Sequence, residues 1–483
     1  MKKPTAQLNA SDCNCSRRGF LRLAGAGAAL LGLSGSVTAL GGPGRALKRP
    51  NVLFVLADDL RPDGIHALGT DLLRTPNMDQ VVQRGFAFRN AYVMGSNSGA
   101  VCMPSRTQLL TGMSMFRAKP QASGGDPSTY TFPRAMREAG YATIHSGKYG
   151  NSPRPITNEF DQTFDPGNAE ANADKIIAFI REHAGKEPLF LYMAGKEPHD
   201  PQFAAPQYYR MYRPQDIPLP PNFLPFHPFD NGEMTVRDEK TLPWPRTRES
   251  VTGKLARYYA SISYLDAQVG RVIQALKDAG QYEDTIVILA GDNGLSLGEH
   301  GLLGKQNVYE FGGMHVPLVF AGPGIPRGES KAFAYLYDIL PTVCGLVGAP
   351  IPGRVDGKSL VPVITGKAPK VRDHAFTAYK AFQRAVRDER WKLIRYPHIN
   401  KTQLFDLEND PHEMTDLSRK PEYAARVRQM MTLLAATQKE YGDPCPLSSE
   451  SPKDPAWSPA KAPLEPAKKR KSSGRKTTPR KKQ

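Results

Sequence analysis

The sequence predicts an α/β fold: a large, mostly parallel sheet flanked by helices, with a smaller α+β subdomain at its C-terminal end. Three observations carry this. From residue 51 to about residue 350, short continuous apolar runs alternate with helix-like stretches, as in a parallel sheet covered on both faces. Two of the runs end in Asp58-Asp59 and Asp292-Asn293, and such sheets gather their chemistry at the carboxyl ends of strands. Beyond residue 350 the runs shorten, and one late helix closes the pattern.

The elements follow in order. Asn51-Val-Leu-Phe-Val-Leu-Ala57 reads as a buried strand. A helix is expected over 78–84 and a strand over 86–93. Residues 105–112 read as a helix ending at Gly112, and 132–139 as a helix closed by Gly140. Strands are expected over 141–145 and 189–193, separated by a helix over 172–183. The Pro-rich stretch 198–246 is too long for a simple connection and reads as a loop over a site. A long helix over 255–279 precedes strands at 285–289 and 316–320. Short strands at 385–387, 391–396 and 403–406 and a helix over 422–441 make the subdomain.

Composition excludes several classes. With 40% hydrophobic and 23% charged residues the chain can build an ordinary core. Gly and Pro, 43 each, imply many loops but show no collagen period. No helix-length apolar run follows residue 50, so no integral membrane span is expected after signal removal. The net charge of +17 lies mostly at the ends: residues 461–483 hold ten Lys or Arg against Glu465, and residues 1–39 hold five against Asp12. The long middle is nearly balanced, so no nucleic-acid partner is expected.

The N-terminus reads as an address. Ser16-Arg-Arg-Gly-Phe-Leu-Arg22 is followed by an uncharged stretch rich in Ala, Gly and Leu, with Val37-Thr38-Ala39 as a processing site. It resembles a twin-arginine (Tat) export signal, which implies passage through the Tat translocase and a periplasmic or secreted location. Cleavage after Ala39 removes Cys13 and Cys15. Cys102, Cys344 and Cys445 remain, too few and too scattered for a disulfide scaffold; at most one pair, Cys344–Cys445, is available. The chain thus divides into a signal (1–39), an α/β catalytic domain (48–350), a subdomain (351–445) and a disordered basic tail (446–483).

Asp58, Asp59, Asp292 and Asn293 offer only hard oxygen donors. An isolated Asp-Asp reads as solvated loop acids, but a second pair at an equivalent strand end points to Ca2+ or Mg2+. No paired Cys or His motif favours zinc. In Cys102-Met-Pro-Ser-Arg106 the Cys alone reads as a buried small hydrophobe, and a thiolate stabilised by Arg106 is the next reading. A phosphatase loop would need Arg six residues after its Cys, where Gln108 stands.

Cys102-x-Pro-Ser-Arg106 followed by Leu110-Thr-Gly112 resembles the signature of the type I sulfatases, members of the alkaline-phosphatase-like superfamily. Pro50–Asp59, Gly291-Asp-Asn-Gly-Leu-Ser-Leu-Gly-Glu-His-Gly-Leu-Leu-Gly-Lys305, Arg390–Arg395 and Leu404–Glu413 extend the resemblance. Tyr258–Asp266 and Gly298-Glu-His-Gly301 are similar to the iduronate- and choline-sulfatase side of the family. The resemblance implies that a maturation enzyme oxidises Cys102 to formylglycine, whose hydrate attacks a sulfate ester. Residue 102 would share a divalent cation, usually calcium, with Asp58, Asp59, Asp292 and Asn293. Arg106 would steady the hydrate, Lys148 and Lys305 would bind sulfate oxygens, and His199 would protonate the leaving alcohol. His300 is expected near the site, in a structural or substrate-contact role. The implied substrate is a sulfated glycan or a small sulfate ester.

One departure stands out. The family usually carries Gly-Lys-x-His, but the His position here is Gly150, with His145 upstream on a strand. Two alternatives stay open at this level. One is a phosphatase or phosphonate monoester hydrolase on the same scaffold. The other is a weakly active or inactive glycan-binding relative.

Overall fold

The computed structural model describes residues 49–122, 130–150, 152–351 and 353–461. The expected export signal (1–39) and the expected basic tail beyond residue 461 lie outside the described residues. Thirteen strands are described: β1 Asn51–Ala57, β2 Phe86–Tyr92, β3 Gly95–Ser96, β4 Ala142–Gly147, β5 Gln162–Phe164, β6 Leu189–Ala194, β7 Thr285–Gly291, β8 His315–Ala321, β9 Gly328–Tyr335, β10 Ala375–Tyr379, β11 Gln383–Arg387, β12 Trp391–Tyr396 and β13 Lys401–Asp406. The helices are α1 Pro76–Arg84, α2 Cys102–Thr111, α3 Met115–Ala122, α4 Phe132–Glu138, α5 Arg154–Thr157, α6 Ala169–His183, α7 Pro206–Tyr209, α8 Arg248–Asp278, α9 Ile339–Val347, α10 Val361–Ile364 and α11 Ala424–Tyr441.

The large sheet runs β5-β4-β6-β1-β7-β8-β2-β9. All its pairings are parallel except those of β8, which runs against both β7 and β2. The central strand β1 explains why both faces must be covered. Val52, Phe54 and Leu56 enter one apolar cluster, while Leu53, Val55 and Ala57 enter the other. Alternate residues point to opposite faces of a strand, so a continuous apolar run requires helices on both sides. Helices α1, α6 and α8 contribute to the second cluster, and α4 and α9 to the first.

The smaller sheet runs β13-β12-β11-β10-β3. Its far strand, β3, comes from the segment just before α2, so residues of the active-site half are stitched into the C-terminal sheet. Helix α11 packs over it through Met430 and Leu434.

Several expectations are corrected. Helix α2 begins at Cys102 rather than 105, because Pro104 sits comfortably in a first turn whose N–H groups lack partners anyway. Helix α8 begins at Arg248 rather than 255: Thr247 accepts from the backbone of Ser250, and Ser250 answers the backbone of Thr247, a reciprocal cap. The chain from 446 to 461 is not a loose tail. Trp457 meets Trp244 edge-on at 5.3 Å, Asp230 N donates to Pro455 O, and Lys453 N donates to His398 O. One tryptophan was enough to anchor a stretch otherwise poor in apolar residues. Cys344 and Cys445 are both free, the first buried in α9 and the second half-buried after α11. No helix among the described residues is long and apolar enough to cross a membrane.

Candidate active site

Four segments meet at the carboxyl edge of the central strands. Asp58 and Asp59 follow β1, and Asp292 and Asn293 follow β7. Asp59 sits at φ +66, a conformation rare outside glycine. Two bonds hold it there: Tyr258 Oη donates to Asp59 O at 2.7 Å, and Asp59 N donates to Asp292 Oδ1 at 3.1 Å. This turn brings two successive carboxylates to one place. Tyr258 lies on α8; the sequence marked it only as the start of the Tyr258–Asp266 segment, with no role at the site.

Cys102 is the first residue of α2, and Arg106 lies one turn on, on the same face. Cys102 Sγ donates to Asp58 Oδ1 at 3.2 Å. Arg106 is fully buried and donates from Nε to Asp292 Oδ2 at 2.8 Å and from Nη2 to Asp58 Oδ2 at 3.2 Å. Its Nη1 also reaches Ser152 Oγ at 3.3 Å, a partner the sequence did not mark. One guanidinium therefore ties the two acidic strand ends together.

The lysines arrive from opposite sides. Lys148 follows β4 and ion-pairs with Asp58. The residue before it must be glycine: a Cβ on Gly147 would lie 1.9 Å from Ala194 O. Lys305 comes from the β7–β8 connection, its Nζ 2.6 Å from Asp59 Oδ1 and 3.1 Å from Cys102 Sγ. There Gly313 is required, since its Cβ would meet Lys305 O at 1.8 Å. His199 stands opposite, its Nε2 3.8 Å from Asp59 Oδ2. Its Nδ1 is 2.6 Å from Asp200 O, so Nδ1–H donates there and Nε2 is left to face the cluster.

The electrostatics follow from burial. Burial alone would raise the Asp58 carboxyl, but Lys148 and Arg106 hold it well below the usual carboxylate range. Asp292 goes the other way, pushed up by burial and by the Asp58 charge. Burial would discharge the lysines, yet Asp58 keeps Lys148 protonated and Asp59 does so for Lys305. Burial, then Asp292 and Asp58, push the Cys102 thiol well up, so it is a proton donor here and not a thiolate.

The donor set fits a hard divalent cation. Ligand atoms of Asp58, Asp59, Cys102 and His199 lie within 4.8 Å of one another. Asn293 Oδ1 is buried without a donor, beside the same carboxylates, while Asn293 Nδ2 reaches Asp59 Oδ1 at 2.7 Å. A buried amide oxygen without a partner is costly, and a cation would satisfy it.

Two histidines stand apart. His300 does not join the cluster: its ring stacks on Tyr309 at 3.9 Å and its Nε2 lies 3.1 Å from Asn222 Nδ2. The turn at φ +51 sends Glu299 to Arg61 and turns His300 toward β13, where it lines a cavity with Gln403 and Phe405. Burial lowers its pKa to about 3, so it stays neutral. His145 is fully buried between Phe160 and Tyr192, both ring nitrogens unpartnered, and does not take the place vacated at Gly150. A Cβ on Gly150 would meet nothing within 4 Å.

Comparison with known proteins agrees with this arrangement. The Sulfatase family model matches residues 50–349, and a model described as N-sulphoglucosamine sulphohydrolase, C-terminal, matches residues 298–440. The chain is 26% identical to an N-acetylglucosamine-6-O-sulfatase of Bacteroides thetaiotaomicron, over 84% of this chain and 89% of that one. It is 28% identical to a choline-sulfatase of Rhizobium meliloti, over 77% and 83%. A phosphonate monoester hydrolase of Agrobacterium radiobacter shares the fold at a TM-score of 0.69 and 23% identity, covering 81% of this chain and 96% of that one. The chain belongs to the sulfatase family and is a sulfuric ester hydrolase.

Proposed function

We propose that this protein is an exported sulfatase that cleaves sulfate monoesters of a sugar or a small alcohol, using a formylglycine made from Cys102 and a divalent cation. The observation that carries the reading is Cys102 at the start of α2, hydrogen-bonded to Asp58 and Lys305 within the Cys-x-Pro-Ser-Arg signature. In this reading Ca2+ or Mg2+ would supply Lewis-acid polarisation of the sulfate, and the hydrated aldehyde at 102 would supply the attacking hydroxyl. Asp58, Asp59, Asp292 and Asn293 hold the cation together with residue 102.

The remaining work belongs to the chain's own side chains. Three acids (Asp58, Asp59, Asp292) face three bases (Arg106, Lys148, Lys305), so they balance. A bound divalent cation then leaves a positive site suited to a sulfate anion. Arg106 keeps the acidic strand ends in register and steadies residue 102. Lys148 and Lys305 turn from their carboxylates to the sulfate oxygens. His199, oriented by Asp200 O, brings a proton on Nε2 to the leaving oxygen.

Location and partners rest on the N-terminal motif and the signature. Arg17-Arg18 with Phe20-Leu21 supports export by the Tat translocase to the periplasm or beyond. That route carries folded proteins, so a formylglycine-generating enzyme can act on Cys102 first. The names of the relatives support a sulfated sugar or a choline-like ester as the substrate class.

The test is direct. The protein is expressed with a formylglycine-generating enzyme, the peptide containing residue 102 is analysed by mass spectrometry, and phenyl sulfate, phenyl phosphate and a phenylphosphonate monoester are compared as substrates. Conversion at 102 with sulfate release dominating supports the reading. An unmodified cysteine after maturation, or faster cleavage of the phosphonate, overturns it.

A further inference from the structure

Beside the cluster lies a second cavity of about 610 Å3, walled by Asp200, Gln202, Thr247, Glu249, Lys254 and Arg257 among others. Its floor is the start of α8, the turns that the sequence reading missed. Lys254 is 9% exposed, yet it makes no hydrogen bond or ion pair with any described residue. Arg257, one turn on along the same face and exposed, also lacks such a partner. Two cations, neither paired with a described carboxylate, thus face one cavity, where an anion would meet both.

Three of the acids around it are already engaged. Asp200 is held by Arg237 at 3.3 Å. Asp238 takes Arg237 at 2.6 Å and Gln306 Nε2 at 2.9 Å. Asp59 takes Lys305 and Asn293. Glu249 lies on the exposed first turn of α8. The cavity opens beside the reacting centre: Asp200 follows His199, and Asp59 acts on the Lys254 charge. Burial lowers the Lys254 pKa, with Asp200, Asp238 and Asp59 opposing.

We propose that Lys254, aided by Arg257, binds a second anionic group of the substrate, so that the preferred ester carries a carboxylate or another sulfate besides the one cleaved. This rests on the sulfatase reading and narrows its substrate class. Lys254 acts in binding and specificity, and takes no part in the bond-breaking step.

The test measures a ratio. For the matured holoenzyme, kcat/KM is compared between phenyl sulfate and the 3- and 4-carboxyphenyl sulfates, and between the N-acetyl and N-sulfo forms of glucosamine 6-sulfate. The first set offers a carboxylate as the extra anion, the second a sulfate. Wild type should favour a doubly charged ester in at least one set. Lys254→Met should lower that preference by about 10- to 100-fold, mainly through KM, and Lys254→Arg should retain most of it. A binding readout is independent of turnover: in a Cys102→Ala background, calorimetry should show the same loss of affinity for the doubly charged ester. No turnover of any sulfate ester would defeat the sulfatase reading itself. Turnover with no preference for the extra anion, or a preference that Lys254→Met leaves intact, would overturn this inference alone.

Discussion

Two regions of this molecule bury a cluster of charges, and only one of them is built to react. The first is the site at the ends of β1 and β7. The second lies where the large sheet meets the small one. There Glu310 accepts from Tyr92 Oη at 2.7 Å, Arg387 Nη1 at 2.6 Å and Lys392 Nζ at 2.9 Å. Lys392 also pairs with Glu413 at 2.9 Å, and Glu413 Oε2 accepts from Glu310 N at 2.6 Å. In this cluster Glu310 is held by three side chains, and Glu413 by Lys392 and the backbone of Glu310, although Arg387 Nε is buried without a partner. At the site, three acids and three bases balance, but Asn293 Oδ1 is left without a donor and Lys305 Nζ reaches Cys102 Sγ at 3.1 Å. Burial of charge is common to both. What separates them is that only the first brings its acids and a lysine onto a cysteine.

The sharpest way to break that comparison is to remove one residue from each cluster. Cys102→Ala should abolish sulfate ester cleavage, by at least about 10^3-fold in kcat, with a melting temperature close to wild type. An Ala variant with near-normal turnover would place the nucleophile elsewhere. Lys392→Met should do the reverse: it strands two buried carboxylates and should cost about 3–5 kcal/mol of stability, read by denaturant unfolding, while kcat of the folded fraction stays within about twofold. A variant as stable as wild type would show that the interface charges are not coupled.

Cation removal should separate the regions next. Chelation should lower both activity and melting temperature, because the cation binds only the folded site. In Asp58→Asn/Asp292→Asn the chelator should no longer shift the melting temperature, whereas in Glu310→Gln it should shift it as in wild type. Equal responses in both variants would move the cation away from the strand ends.

A smaller effect concerns pH. Burial, with the Glu310 charge adding and Lys392 opposing, raises the Glu413 pKa to about 7. Its folded form therefore holds a proton that the unfolded chain has already lost. Stability from this group should be greatest below the ordinary carboxylate range and should fall as pH rises toward 7, by roughly 1–3 kcal/mol in all. Glu413→Gln should flatten that slope; an unchanged slope would assign it to other groups.

The smallest expected change is at Gly150. Open space surrounds its Cβ position, so Gly150→His should fold normally. If the missing histidine limits turnover, the variant should gain about two- to tenfold in kcat. No gain would mean that another group already does this work.

The sequence by itself determined the central strands, both acidic strand ends and the Cys102 signature. Each is a local pattern: a run of apolar residues buried on both faces, two carboxylates at its end, and a cysteine spaced against an arginine by one helical turn. The resemblance carried Lys148, His199 and Lys305 to the same place, and the folded chain does bring them together. What tertiary structure decided depends on partners distant in sequence. His300 turned away because Asn222 and Tyr309 were there to receive it. Residues 446–461 became ordered because Trp244 offered a face to Trp457. Strand β3 left its neighbours to finish the small sheet beside β10. Lys254 gained its meaning only when α8 began two turns early and set an unpaired ammonium against the rim of the site. Local patterns report what a segment can become; contacts across the fold settle whether a polar group is satisfied, and an unsatisfied one is where binding can occur.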